Sequence, residues 1–409
     1  MLLPSLITLL AALAIVAADL VYKDAVLEHR LAAKGWGGEF KTHLTFGDRY
    51  ICIPHLFLHF ILPASYNSYT DEGRLPYFES HNGSAPPVGW IGPDYSPTFS
   101  GGHSWVRYVS YYTGAALYNY AVSGAVCSNE ITPRYYDAIH GLFPSVAEYE
   151  VPAFEADLEA GALDVDWAST IVTLWIGTND LGGEGLLSHS QVKGKTIVDY
   201  TRCVFDALKS LYELGARRFV LLNIAPLGFL PFTPYSVQAL TGLELAPLYA
   251  ADSEPGPDRY WKGKGQNTTQ IALMMAEEVA AANEIFHLRA ATHKLRGAKL
   301  AVMDAHGLFR DIYNHPERYL NGTAPLDVKG YNSHCNVDSS KCWEYRMEDR
   351  DAFMWFDELH PGEQVGRVLA KEFREIVKGR GNWVTFYEGG RREGLREGEM
   401  CSRSGDGYH

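Results

Sequence analysis

Thr170-Ile-Val-Thr-Leu-Trp-Ile-Gly-Thr-Asn-Asp180 decides the architecture. A short apolar, β-branched run ends in a glycine and then in polar side chains, the pattern of a buried strand closing into a turn. The same pattern marks candidate strands at Leu44–Phe46, Ala116–Ala121, Phe219–Asn223 and Leu300–Met303, beside Thr170–Ile176 itself. Amphipathic stretches lie between them at Trp105–Tyr112, Tyr200–Leu214 and Ile271–Leu295, and Gly362–Lys378 closes the set. Strands alternating with helices predict a five-stranded parallel sheet covered on both faces. Sites in such sheets form at the carboxyl ends of the strands.

The tail of the opening stretch, Gly177-Thr-Asn-Asp180, offers an amide side chain as an oxyanion donor. Far along the chain, Asp357-Glu-Leu-His360 precedes Pro361 and offers a base and its orienting carboxylate on one turn of backbone. A serine hydroxyl at its free pKa is a weak nucleophile and needs such a pair within reach. The developing oxyanion needs fixed donors, for which Asn179 and the backbone N–H of Gly124 are candidates. Asp180 is read as structural. His81, His103, His140 and His334 have no partner pattern and are expected to be ordinary surface residues.

The bulk properties fit an extracellular enzyme. The 409 residues carry a net charge of −13, which argues against nucleic acid or an anionic membrane as a partner. Leu2 to Ala17 is apolar and ends in small residues, so residues 1–18 are expected to be a signal peptide, with a transmembrane anchor as the weaker reading. Sequons at Asn82, Asn267 and Asn321 are glycosylation candidates. Cys335 and Cys342 are expected to close a small disulfide loop, with zinc at those residues and His334 as the rival. Cys127 and Cys203 pair or lie free in the core. No metal or cofactor is implied. The tail 388–409 is polar, Gly-rich and expected to be disordered.

Taken in order, these residues resemble the SGNH, or GDSL-type, hydrolases, and more narrowly the fungal acetylesterases of carbohydrate esterase family 16. Tyr69-Thr-Asp-Glu-Gly-Arg74, Ala121-Val-Ser-Gly-Ala-Val-Cys-Ser-Asn-Glu-Ile-Thr-Pro-Arg134, the block at Trp175 and Trp355-Phe-Asp-Glu-Leu-His-Pro361 carry the likeness. The resemblance implies one hydrolase domain over 40–387, a single flavodoxin-like three-layer α/β/α fold with strand order 2-1-3-4-5. It also implies Ser68 as nucleophile, His360 as base and Asp357 as its orienter. Gly124, Asn179 and the nucleophile's own N–H would form the oxyanion hole.

The family runs Phe-Gly-Asp-Ser-Tyr-Thr without interruption. Here Phe46-Gly-Asp48 and Ser68-Tyr-Thr70 are separated by Arg49–Asn67, and removing that segment restores the block. It reads as an aberrant insert, a retained intron; an apolar lid is the rival. Ser65 is a weaker candidate nucleophile. Gly228–Gly242, between the repeated Ala-Pro-Leu at Ala225–Leu227 and Ala246–Leu248, is a second suspect segment. The expected function is a secreted serine esterase removing acetyl groups from acetylated hemicellulose-derived sugars through an acyl-enzyme. The alternatives are a lidded lipase or acylhydrolase and a catalytically dead glycan-binding relative. The expected partner is thus an acetylated oligosaccharide or other short-chain ester, with no stable membrane insertion.

Overall fold

A computed structural model describes residues 36, 38–47, 70–93, 98–226 and 246–388. The proposed signal peptide, the segment Arg49–Asn67, Ser65, Ser68, Gly228–Gly242 and residues 389–409 lie outside the described residues.

The sheet has six strands: β1 (Thr42–Phe46), β2 (Ala116–Asn119), β3 (Thr170–Leu174), β4 (Arg218–Leu222), β5 (Lys299–Met303) and β6 (Val384–Glu388). Their spatial order is β6-β5-β4-β3-β1-β2. The five predicted strands are all present, mutually parallel and in the order 2-1-3-4-5. β1, β3 and β4 are buried along their whole length, which is why they read as apolar runs rather than alternating ones.

The five-strand expectation is corrected by β6, which pairs antiparallel with β5 from Val384↔Met303 to Glu388↔Lys299. Its Val384 and Phe386 are buried while Thr385 and Tyr387 are half-buried, the alternation of an edge strand. The strand also runs through Glu388, the first residue assigned to the tail.

Helices cover both faces. On one, α2 (Trp105–Thr113) packs against α7 (Glu363–Val377), and the His43 ring of β1 stacks on Phe373 and meets Trp105 edge-on. On the other, Phe46 packs edge-on to Phe154 of α3 (Val151–Glu159). There α4 (Ile197–Glu213) meets α5 (Thr268–Ala291) through Tyr200, Phe205 and Phe286. Two further helices, α1 (Arg74–Ser80) and α6 (Ala305–Asn314), come next along the described chain after β1 and β5. No described helix is long and apolar enough to cross a membrane.

Candidate active site

The loop carrying Asp357 and His360 is held at both ends. A strand at Phe353–Trp355 leads in, and Trp355 bridges back to Pro361. The Phe356 N–H donates to the His360 carbonyl at 2.7 Å, and the Gly362 N–H to that of Met354 at 2.8 Å. Within this turn Asp357 Oδ1 accepts from the Leu359 and His360 N–H groups at 2.9 and 2.7 Å. The same carboxylate lies 2.8 and 2.9 Å from His360 Nδ1, and both side chains are fully buried. A neutral imidazole donating its Nδ1–H to a carboxylate carries its basic lone pair on Nε2.

Three partners of this pair were not legible in the sequence. Tyr260 Oη donates to Asp357 Oδ2 at 2.6 Å, and Arg259 Nη2 lies 3.2 Å from the same oxygen and 2.5 Å from Glu358 Oε2. The Tyr260 ring meets the His360 ring edge-on at 5.4 Å, and Phe99 stacks on it at 4.8 Å. Burial works to raise the Asp357 carboxyl. His360, Arg259 and the Tyr260 hydroxyl outweigh it and hold the group at about 2. Burial pushes Glu358 upward, against the pull of Arg259.

The donor side is built on the turn after β2. Gly124 has φ +83°, and a Cβ there would come within 2.4 Å of the Phe143 ring, so the position requires glycine. Arg134, lying over the Phe143 ring, donates from Nη1 to the Gly124 carbonyl at 2.6 Å and so sets the direction of that peptide. Buried Asn179 donates from Nδ2 to the Ala125 carbonyl at 2.8 Å, which brings the two predicted oxyanion donors side by side. Asp180 clamps the turn further along, accepting from the Cys127 N–H at 3.0 Å and from Thr132 Oγ1 at 3.1 Å. Burial pushes its carboxyl up to about 7, opposed by the Cys127 N–H. A disulfide joins Cys127 to Cys203 of α4.

The donor turn and the His360 loop meet through one segment. The Gly183 N–H, just past Asn179, donates to Tyr249 Oη at 3.2 Å, and the neighbouring Leu248 N–H donates to the Glu358 carbonyl at 2.7 Å. The Ala246 N–H reaches the Pro226 carbonyl at 3.2 Å, at the end of β4. Asn179, Gly124 and His360 therefore border one end of the sheet, the carboxyl end.

The chain ends that flank Arg49–Asn67 and Ser68 reach the same turn. On one side, buried Glu150 accepts from the Gly47 N–H at 2.5 Å and from the Val122 N–H at 3.2 Å. On the other, Asn119 Nδ2 donates to the Thr70 carbonyl at 2.5 Å. Asp71 accepts from the Ser123 N–H at 2.9 Å while capping the start of α1 through Gly73, Arg74 and Leu75. Burial pushes Glu150 up to about 8, against the two N–H groups that favour its ionised form.

The second disulfide joins Cys335 to Cys342, as the short loop suggested. Asn82, Asn267 and Asn321 are exposed. Asn267 also caps α5 through its Oδ1, accepting from the Gln270 N–H at 3.1 Å, which leaves Nδ2 at the surface. An imidazole–carboxylate pair at the same end of the sheet as amide and main-chain donors is a set of groups suited to acyl transfer.

Comparison with known proteins agrees. The family model described as GDSL-like Lipase/Acylhydrolase matches residues 67–373. An acetylesterase of Hypocrea jecorina is 37% identical over 358 residues, covering 86% of this chain and 92% of its own. An acetylesterase of Thermothelomyces thermophilus is 25% identical over 343 residues, covering 83% and 89%. Among solved structures, a variant acetyl-xylooligosaccharide esterase of Geobacillus Stearmophilus aligns over 83% of this chain and 95% of that one, with TM-score 0.36 and 14% identity.

Proposed function

This chain belongs to the GDSL-like lipase/acylhydrolase family and is a carboxylic ester hydrolase, and on that premise we propose that it is a secreted serine esterase that removes acetyl groups from hemicellulose-derived sugars. The buried Asp357–His360 pair at 2.8 Å carries the reading. Ser68 Oγ attacks the acetyl carbonyl and gives its proton to His360 Nε2, while Asp357 balances the imidazolium. The oxyanion is stabilised by the N–H groups of Ser68 and Gly124 and by Asn179 Nδ2. The sugar hydroxyl leaves with the proton from His360, and water, activated by the same nitrogen, releases acetate from the acyl-enzyme.

The assignment of Ser68 is supported by the anchoring of its surroundings. Gly47 and Thr70–Asp71 are tied to the same few residues, 119–123, so the two ends of the interrupted block converge whatever length of chain joins them. Loop-closure entropy grows only with the logarithm of length, so Arg49–Asn67 need not displace Ser68 from the site. The family match begins at residue 67, the last residue of that segment, and takes in Ser68. Secretion is supported by the apolar stretch Leu2–Ala17, two disulfides and three exposed sequons.

The test compares the chain as written with one lacking Arg49–Asn67, on p-nitrophenyl acetate and on a long-chain ester at an oil–water interface. The shortened chain should be the more soluble and more active on the acetate, and Ser68→Ala should abolish its activity and its labelling by serine-directed reagents. Greater activity of the full chain on long acyl esters would instead establish a lidded lipase. Labelling at another serine would overturn the assignment of Ser68.

A further inference from the structure

The hairpin closed by Cys335 and Cys342 presents an aromatic face that the mechanism leaves unused. Its strands, Ser333–Cys335 and Cys342–Glu344, pair antiparallel with Trp343 opposite His334. Side chains alternate across a strand, so the hairpin has two faces. The inward face is anchored. Glu344 pairs with Arg350, which donates to the Gly101 carbonyl at 2.8 Å, and the Ser333 N–H donates to the Phe356 carbonyl at 2.5 Å.

The outward face is apolar and open. The Trp343 indole stacks on the His334 imidazole at 5.6 Å and 12°, and His334 lies 4.3 Å from the Tyr331 ring. Trp343 remains 51% exposed, and Tyr345 and Met347, just past the end of the strand, are 59% and 62% exposed. A cross-strand pair accounts for one face of the indole. It leaves the other face of the indole open, while Tyr345, edge-on to Phe353 at 6.1 Å, stays largely exposed. Tyr331, His334 and Trp343 thus form one continuous run of rings with an exposed aromatic end, the kind of surface that marks binding sites.

The hairpin adjoins the site. The Asn332 and Ser333 N–H groups donate to the carbonyls of Trp355 and Phe356, immediately before Asp357. Lys262 Nζ, two residues from Tyr260, donates to the Val337 carbonyl at the hairpin tip at 2.7 Å. Tyr331 lies close enough to sense the site's charges. Burial first, and then the carboxylates of Glu358, Asp258 and Asp357, push its hydroxyl up to about 12.

We propose that Trp343, with His334 and Tyr345, forms a sugar subsite on which a pyranose ring of the ester-bearing oligosaccharide stacks while an acetyl group on a neighbouring ring enters the site at His360. The inference rests on the sugar-ester reading above. A flat, rigid aromatic anchor costs little ordering entropy, and the C–H face of a neutral sugar ring matches it. The disulfide and the inward ion pair hold the platform in place before substrate arrives.

The test uses the full chain, acetylated and unsubstituted xylooligosaccharides of two to six units, and p-nitrophenyl acetate. Trp343→Ala should raise KM for the longer acetylated oligosaccharides about tenfold, the loss typical of removing one aromatic anchor, with kcat unchanged. Trp343→Phe should retain most of the affinity. Neither change should alter turnover of p-nitrophenyl acetate, which has no second ring. Calorimetric binding of the unsubstituted oligosaccharides to the His360→Ala protein should be lost in the double variant with Trp343→Ala. That readout stands even if the chain hydrolyses no sugar ester, so failure of the subsite and failure of the sugar-ester reading are separable. Equal KM across chain lengths in both forms would overturn the proposal. So would a Trp343→Ala effect confined to self-association in ultracentrifugation, or to binding of neutral lipid vesicles, since the face would then serve a second copy or a lipid surface.

Discussion

Tyr260→Phe isolates one contact of the Asp357–His360 pair. The substitution keeps the ring that meets His360 edge-on at 5.4 Å and deletes only the hydroxyl that donates to Asp357 Oδ2 at 2.6 Å. A hydrogen bond to a buried ionised group contributes about 1.5–3 kcal/mol. Asp357 is held at about 2 in the folded protein against an ordinary 3.8. At 1.36 kcal/mol per pH unit that difference corresponds to about 2 kcal/mol of stability. The depression of the folded value means that this stability is fully present above about pH 4 and is lost as pH falls through about 2. Removing the hydroxyl moves Asp357 toward its ordinary value, so Tyr260→Phe should lower the urea unfolding free energy by about 1–2 kcal/mol at pH 7. The gap should narrow between pH 4 and pH 2, where both proteins protonate Asp357. If half of that bond energy is expressed in the transition state, kcat on p-nitrophenyl acetate falls about four- to twelvefold, with KM unchanged because Tyr260 acts through Asp357. Unaltered kcat would refute the positioning role. A stability loss as large at pH 2 as at pH 7 would show that only packing had been disturbed.

Three further outcomes are expected. His360→Ala should reduce ester turnover by about three orders of magnitude or more while the thermal unfolding profile stays cooperative, and near-normal turnover would remove His360 from the mechanism. Gly124→Ala places a Cβ 2.4 Å from the Phe143 ring at φ +83° and should cost about 1–3 kcal/mol in unfolding free energy together with a loss of kcat; an unchanged melting temperature would contradict the geometry. Glu150, raised by burial from 4.5 to about 8, makes its contribution fully below about pH 4.5 and loses it as pH rises through 8. The protein should therefore lose on the order of 4 kcal/mol between pH 4.5 and 8.5 through this group. Urea titrations should show a flatter profile in Glu150→Gln, and an equal slope in both proteins would assign the pH dependence elsewhere.

The features legible in the sequence are those that leave a local signal. β1, β3 and β4 are apolar on both faces because helices cover both sides, so each reads as a short unbroken run. Asp357 and His360 sit three residues apart on one turn, and Gly124 occupies a position that only glycine tolerates. β6 escaped notice because an antiparallel edge strand of alternating Val384-Thr-Phe-Tyr-Glu388 runs straight into a Gly-rich stretch and shows only two buried side chains. Arg259 and Tyr260 escaped for another reason. They lie in an irregular segment with no periodicity, 97 residues before the nearer of the carboxylates they serve, and no local pattern ties them to it. Glu150 and Asp71 are similar cases, since their partners are main-chain N–H groups, which carry no mark in the sequence.

The buried carboxylates explain how a site assembled from such distant pieces keeps its geometry. Asp71 holds Ser123, Glu150 holds Gly47 and Val122, Asp180 holds Cys127, and Asp357 holds Leu359 and His360, each by accepting main-chain N–H groups. Every turn that carries a candidate donor or base, or that flanks Ser68, is thus fixed by a buried carboxyl group accepting main-chain N–H groups rather than by apolar packing alone. Burial works against all four, and in Asp71, Glu150 and Asp180 it prevails, so that their carboxyls are raised. Those three are met chiefly by main-chain amides, which orient a carboxylate without neutralising it. Asp357 alone has a guanidinium in direct contact and an imidazole bonded to it, and it alone is depressed. The distinction follows the chemistry required. The first three need only to hold backbone, which they do whether or not they are fully ionised. Asp357 must carry its charge at every working pH if it is to balance an imidazolium on His360, and Arg259 and Tyr260 are placed where they secure that charge.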